Sequence, residues 1–153
     1  MNKINGIVSV VPTPLTDNES VDFKGIENIV EFLVEQNYSM FALGSAGEGM
    51  NLTFKDRVAV ARKIAKVNNG RVPLLIGGGG FGVKDIVEFI GEIDDCKIDG
   101  IHVIPYDNKV SSSTVESFYM AIADRFSIPI WLYQNTKRTK GIPLEVVQRL
   151  KKH

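Results

Sequence analysis

The chain is poor in the residues that build covalent and metal frameworks. Cys96 is its one cysteine, and His102 and His153 are its two histidines. An internal disulfide and any cysteine-based metal cluster are therefore excluded, and no ligand set is present from which a metal site can be argued. The scarcity of cysteine fits a reducing, cytoplasmic setting. Charge of one sign is lacking too: eighteen basic residues balance eighteen acidic ones, so no summed field draws the chain to nucleic acid or to an anionic membrane. The expected partner is a small molecule or another protein. No run approaches about 18 apolar residues, and no basic stretch followed by a long apolar core opens the sequence, so neither a membrane span nor a signal peptide is expected.

What is present is an alternation. Gly6 to Val11 is apolar and valine-rich, stops at Pro12-Thr13-Pro14, and precedes a helical pattern from Asp22 to Gln36 with Ile26, Ile29, Val30, Leu33 and Val34 on one face. Met40 to Gly44 reads as the second strand and Thr53 to Val67 as the second helix, with Thr53 as N-cap and Asp56 in the first turn. Val72 to Ile76 runs into a glycine tract, Gly77 to Gly80, and Lys84 to Ile93 has helical spacing. Ile101 to Ile104 and Pro129 to Tyr133 are the fourth and fifth strands. Between them, Thr114 to Phe126 is a helix with Val115, Phe118, Ile122 and Phe126 inward. Pro143 opens a last helix at its first position, with Leu144, Val147 and Leu150 on one stripe.

Strands this continuously apolar, each followed by an amphipathic helix, are buried on both faces in a parallel α/β sheet. No linker divides the 153 residues, so one domain is expected. Two architectures accommodate five such units: an incomplete (β/α)8 barrel, since a whole one needs roughly 200 residues or more, or a five-stranded doubly wound, flavodoxin-like sheet. A barrel portion leaves its end strands unpaired and an apolar face uncovered, whereas a doubly wound sheet covers both faces. Strand composition does not choose between them.

The run Leu43-Gly44-Ser45-Ala46-Gly47-Glu48-Gly49-Met50-Asn51-Leu52-Thr53 lies at a strand-to-helix junction and reads as a floor for an anionic ligand. Glycines at 44, 47 and 49 let a ligand approach the backbone, and N–H groups with the Ser45 hydroxyl suit a carboxylate. A tight turn with no ligand is the plainer alternative, and Glu48 is expected to cap helix amides. The glycine tract lacks the Gly-Lys-Ser/Thr ending of a phosphate loop and reads as a flexible connection. His102 reads as a satisfied strand histidine, Trp131 as core, and Asp94-Asp95 as a solvated helix end.

Five ordered motifs, Gly6-Ile7-Val8-Ser9-Val10-Val11-Pro12-Thr13-Pro14, Gly44-Ser45-Ala46-Gly47-Glu48, Pro105-Tyr106, Leu132-Tyr133 and Arg138-Thr139, resemble the dihydrodipicolinate synthase and N-acetylneuraminate lyase family in order and spacing across almost the whole chain. The resemblance implies a TIM barrel with its site at the C-terminal ends of the strands. It also implies a lysine on the sixth strand that forms a Schiff base with pyruvate, with no cofactor and no metal.

Carried over residue by residue, Ser45 aligns with the hydroxyl that binds the keto-acid carboxylate and relays a proton, and Ala46 replaces what is often a second hydroxyl. Gly44, Ser45, Ala46 and Gly47 form the carboxylate loop. Tyr133 aligns with the general acid/base, and Arg138 with the arginine that binds a substrate carboxylate at the entrance. Asp107 stands where synthases often carry a second tyrosine that reaches a neighbouring subunit, and Gln134-Asn135-Thr136 departs from the usual Asn-hydrophobic-Pro.

The sequence ends about where the sixth strand is expected to begin. Lys137, Lys140, Lys151 and Lys152 do not match the family's lysine position. The expectation is the N-terminal part of a pyruvate-dependent lyase or aldolase, inactive alone, acting on a pyruvate-like keto acid in a complete parent and assembling as a homo-oligomer or with a complementing chain. The alternative is a non-catalytic family member that binds or self-assembles.

Overall fold

Every strand pairs with the strand next to it in sequence. The computed structural model describes residues 4, 6–79, 82–105, 111–134 and 141–152. Among these, β1 (Val8–Val11), β2 (Ser39–Ala42), β3 (Leu74–Gly77), β4 (Gly100–Val103) and β5 (Ile130–Leu132) form one sheet in the order β1-β2-β3-β4-β5. All four pairings are parallel. A flavodoxin-like sheet has the order 2-1-3-4-5, because the chain reverses direction after its first crossover. The sequential order excludes that alternative and is the singly wound order of a barrel wall. Right-handed crossovers that always step the same way leave every helix on the same side of the sheet.

The helices are α1 (Phe23–Glu35), α2 (Phe54–Asn68), α3 (Val83–Gly91), α4 (Ser112–Ala123) and α5 (Leu144–Leu150). Their starts follow from side-chain acceptors. Asp22 Oδ1 takes the N–H groups of Lys24 (3.0 Å) and Gly25 (2.9 Å), Thr53 Oγ1 that of Asp56 (3.2 Å), and Ser111 Oγ that of Thr114 (3.2 Å). Successive units are also laced by exposed ion pairs: Glu27 with Lys63, Glu31 with Arg71, Arg62 with Asp95, and Glu116 with Arg149. Such pairs set register more than they add stability. No helix among the described residues is long and apolar enough to cross a membrane.

Register separates the two faces of the sheet. The row Val11, Ala42, Ile76, Ile101, Ile130 runs across all five strands, and Ala42, Ile76 and Ile101 are wholly buried beneath the helices. The alternate residues, Val8, Val10, Phe41, Leu75, His102 and Trp131, line the opposite, concave face. There Val8 is 41%, Val10 38% and Trp131 39% exposed. Trp131 is thus not core as expected. Its indole lies over Gly100, where a Cβ would come within 2.8 Å of it.

Three further expectations are corrected. In α4 it is Tyr119, beside Val115 and Ile122, that is buried, with Phe118 only partly so. In α5 Val146 faces inward while Leu144 is 70% exposed, because Leu144 is the first helical residue and precedes the packed stripe. Pro143 occupies the N-cap rather than the first helical position.

Candidate functional site at the C-terminal strand ends

β2 ends at Ala42, and the next residue turns sharply. Leu43 is buried with φ 58°, a left-handed conformation that costs a leucine about 1–3 kcal/mol and persists only where surroundings impose it. The surroundings here are two glycines. A Cβ on Gly49 or on Gly77 would collide with the Leu43 carbonyl, so the second loop turn and the end of β3 close on that carbonyl only because neither glycine has a side chain.

The loop after Leu43 consists of two short 3-10 turns, Ser45–Gly47 and Gly49–Asn51, joined through Glu48 at φ 60°. The Gly44 carbonyl accepts from the N–H groups of Gly47 and Gly49, each at 3.1 Å, and Ser45 O accepts from Glu48 N–H at 3.2 Å. Thr13 Oγ1 donates to Gly47 O at 2.7 Å and anchors the loop to the end of β1. The backbone N–H groups open to a ligand are therefore fewer than the glycine count suggests. Gly47 spends its N–H inside the loop, whereas no hydrogen bond among the described residues uses the N–H of Ser45 or Ala46, and both residues are exposed. Glu48 is the joint between the turns, and its side chain makes no capping bond, contrary to expectation.

The first half of the glycine tract is held, not loose. Gly78 N–H donates to His102 O at 2.8 Å, and Gly78 O accepts from Arg57 Nη2 at 2.6 Å. The Arg57 guanidinium lies 4.4 Å above the Phe89 ring. Burial lowers its pKa from the usual arginine value, a cost the carbonyl contact and Asp85 partly offset. Gly80 lies outside the described residues.

From the Ser45 loop a row of rings crosses the concave face. The Phe41 ring packs beneath Gly44, where a Cβ would come within 2.6 Å of it. Phe41 meets His102 edge-on at 5.0 Å and 65°, and His102 meets Tyr133 at 4.9 Å and 90°. Desolvation lowers the His102 pKa from 6.5, so the imidazole in this row is neutral near pH 7. On the helix side, Tyr133 N–H donates to Tyr119 Oη at 3.2 Å, and Tyr119 donates to Val103 O at 3.2 Å.

The structure thus brings Gly44, Ser45, Ala46, Gly47 and Tyr133 to one end of the sheet, with Ser45 and Tyr133 at opposite ends of the ring row. Arg138, Tyr106, Asp107, Lys137 and Lys140 lie outside the described residues. Lys151 and Lys152 follow α5 and are exposed. Sequence reasoning missed Tyr119 and Arg57. Tyr119 is one residue from the expected inward Phe118, and a buried arginine on an amphipathic helix has the pattern of a surface one.

The profile of the Dihydrodipicolinate synthetase family matches residues 3–153. The 4-hydroxy-tetrahydrodipicolinate synthase of Methanococcus maripaludis is 31% identical over 138 residues, which are 89% of this chain and 47% of that one. Among solved structures, YagE of E. coli K12, a prophage protein of the dihydrodipicolinic acid synthase family in complex with pyruvate, superposes with a TM-score of 0.88 at 31% identity. That match covers 96% of this chain and 50% of that one. N-acetylneuraminate lyase from Mycoplasma synoviae gives 0.84 at 25% identity, over 96% and 51% of the two chains. The chain spans about half the length of the relatives it matches.

Proposed function

Because the chain belongs to the dihydrodipicolinate synthetase family, we propose that it supplies the first five βα units of a Schiff-base lyase or aldolase acting on a pyruvate-like keto acid, of the dihydrodipicolinate synthase or N-acetylneuraminate lyase type. The observation that carries this reading is the pair of uncommitted amides, Ser45 and Ala46, at the end of a ring row that leads to Tyr133. In this reading the Ser45 hydroxyl and the two N–H groups hold the carboxylate. Gly44 admits it to the backbone and Gly47 fixes the loop's shape. Tyr133 gives and takes the proton at the reacting carbon, and Arg138 binds a second carboxylate at the entrance.

The reactive amine comes from a lysine outside these residues, so the 153-residue polypeptide forms no Schiff base alone. No cofactor is called for, and the setting is cytoplasmic. Further βα units complete the wall, in the same polypeptide, in a complementing one, or through assembly of copies. A cleft of about 590 Å³ beside β5, lined by Tyr119, Phe126, Ile130, Leu132, Val147 and Leu150, offers the next strand an apolar seat.

The test is borohydride trapping with pyruvate, read by intact mass. The chain is taken alone and as a purified pair with the second half of the E. coli K12 relative. The expected result is one reduced pyruvate on the added half, lost with Ser45→Ala, and none on this chain. A stoichiometric adduct on this chain, or none on a stably folded pair, overturns the proposal.

The exposed concave face favours one other reading, a non-catalytic protein that self-assembles through Val8, Val10 and Trp131. Light scattering separates it, since a monomer with a cooperative melt contradicts self-assembly.

A further inference from the structure

The β4–β5 ladder takes on a side-chain partner at the residue that matters most. In a parallel pair each residue's N–H and C=O bond to the residues flanking its partner. Ile101 is the partner of Ile130, and Ile101 N–H donates to Pro129 O at 2.9 Å, as that pattern requires. Val103 is the partner of Leu132, so the next rung should run directly from Tyr133 N–H to Val103 O. The Tyr119 hydroxyl binds both ends of that rung. It accepts from Tyr133 N–H at 3.2 Å and donates to Val103 O at 3.2 Å.

A side chain from α4 thus binds both backbone groups at this end of the ladder. The hydroxyl cannot be replaced by water without loss of order, since Tyr119 is 1% exposed and its ring is packed edge-on against Phe118 at 5.2 Å and 80°. The opposite side of Tyr133 is held by the His102 ring at 4.9 Å and 90°. His102 is itself fixed through its carbonyl, which accepts from Gly78 N–H.

We infer that Tyr119 and His102 are positioning residues for Tyr133: the Tyr119 hydroxyl fixes the Tyr133 backbone where it leaves the sheet, and the His102 ring sets how the Tyr133 ring stands on the concave face. The inference rests on the reading of Tyr133 as the acid/base group. Loss of the Tyr119 oxygen would remove one bond to the Tyr133 N–H, and loss of the His102 edge would leave the ring one contact short. Neither residue needs to touch a substrate.

The experiment is NMR on the whole chain with labelled tyrosine, which reads Tyr133 without any pyruvate chemistry and so fails or succeeds independently of the trapping test. In Tyr119→Phe, which keeps the ring and removes the oxygen, Tyr133 amide exchange rises about tenfold, as expected for loss of one ordinary hydrogen bond, and the Tyr133 ring resonances move. His102→Ala moves the Tyr133 ring resonances, and His102→Phe, which restores an edge-on ring, returns them toward wild type. Unchanged Tyr133 resonances and amide exchange in Tyr119→Phe, with only the melting temperature lowered, reduce Tyr119 to a structural role and overturn its part. Should Tyr119→Phe not fold, the His102 pair decides, and Tyr133 signals indifferent to His102→Ala overturn the proposal.

Discussion

The two faces of this one sheet differ more than its strands do. On the helix side Met40, Ala42, Leu74, Ile76 and Ile101 are wholly buried, in one interlocked layer where each methyl group has partners on every side. On the concave side valines and a tryptophan stand partly in solvent, and beside them lie the strained Leu43, the uncommitted Ser45 and Ala46 amides and the Phe41, His102, Tyr133 row. On the proposed reading, stability and chemistry fall on opposite sides of the same strands. The strand ends are free to carry irregular backbone because the layer beneath does not depend on them.

The sharpest way to break that comparison is to truncate one aliphatic side chain to alanine on each face. Ile76→Ala should cost about 2–5 kcal/mol of unfolding free energy in urea titration, whereas Val10→Ala, at a partly exposed site, should cost about 0.5 kcal/mol. Equal losses would mean that the faces are not energetically distinct.

Tyr119 sits on the boundary, and its phenol is pushed up to about 12 by burial. Its folded value lies above the unfolded one near 10, so its contribution is complete below pH 10 and is lost as pH rises from 10 through 12. The total is about 3 kcal/mol. The difference between wild type and Tyr119→Phe across that window isolates it from the other alkaline titrations, and a flat difference would contradict the burial argument.

Thr53→Ala removes the cap that starts α2 directly after the candidate loop and should cost about 1 kcal/mol. Its melting temperature should fall while the amide shifts of Ser45 and Ala46 stay in place, because the loop is held by Thr13 and by its own carbonyls. His102 supplies the smallest effect. Burial depresses its pKa, so its contribution is present above pH 6.5 and lost as pH falls through the lower folded value. Comparison of wild type with His102→Phe by thermal melts between neutral and acid pH reads that slope.

The helix-side row was legible in advance because a parallel strand buried on both faces reads as an unbroken apolar run, and the spacing of Ile26, Val30 and Leu33 fixed the face of α1. Strand order was not, since sequential and doubly wound sheets use the same strand compositions and differ only in where each helix crosses. Trp131 misled because an indole on an inward-pointing position is core only where something lies across from it. Tyr119 was missed by a single residue, a rotation of about 100° on a helix, and its bonds to Val103 and Tyr133 depend on register that no local pattern encodes.

In the candidate loop the residue types were readable and the hydrogen-bond account was not. Three glycines announced an anion floor, but two of them, Gly47 and Gly49, spend their N–H groups on Gly44 O. What remains available is the short Ser45-Ala46 step.

Titration of the labelled chain with pyruvate, followed amide by amide in nitrogen-15 NMR, tests the central claim most directly. The account predicts saturable shifts at the Ser45 and Ala46 N–H groups, weakened by Ser45→Ala, with the Gly47 and Gly49 amides little moved. Saturable binding that leaves Ser45 and Ala46 unshifted, or no response at any amide of the strand ends at saturating pyruvate, would contradict it.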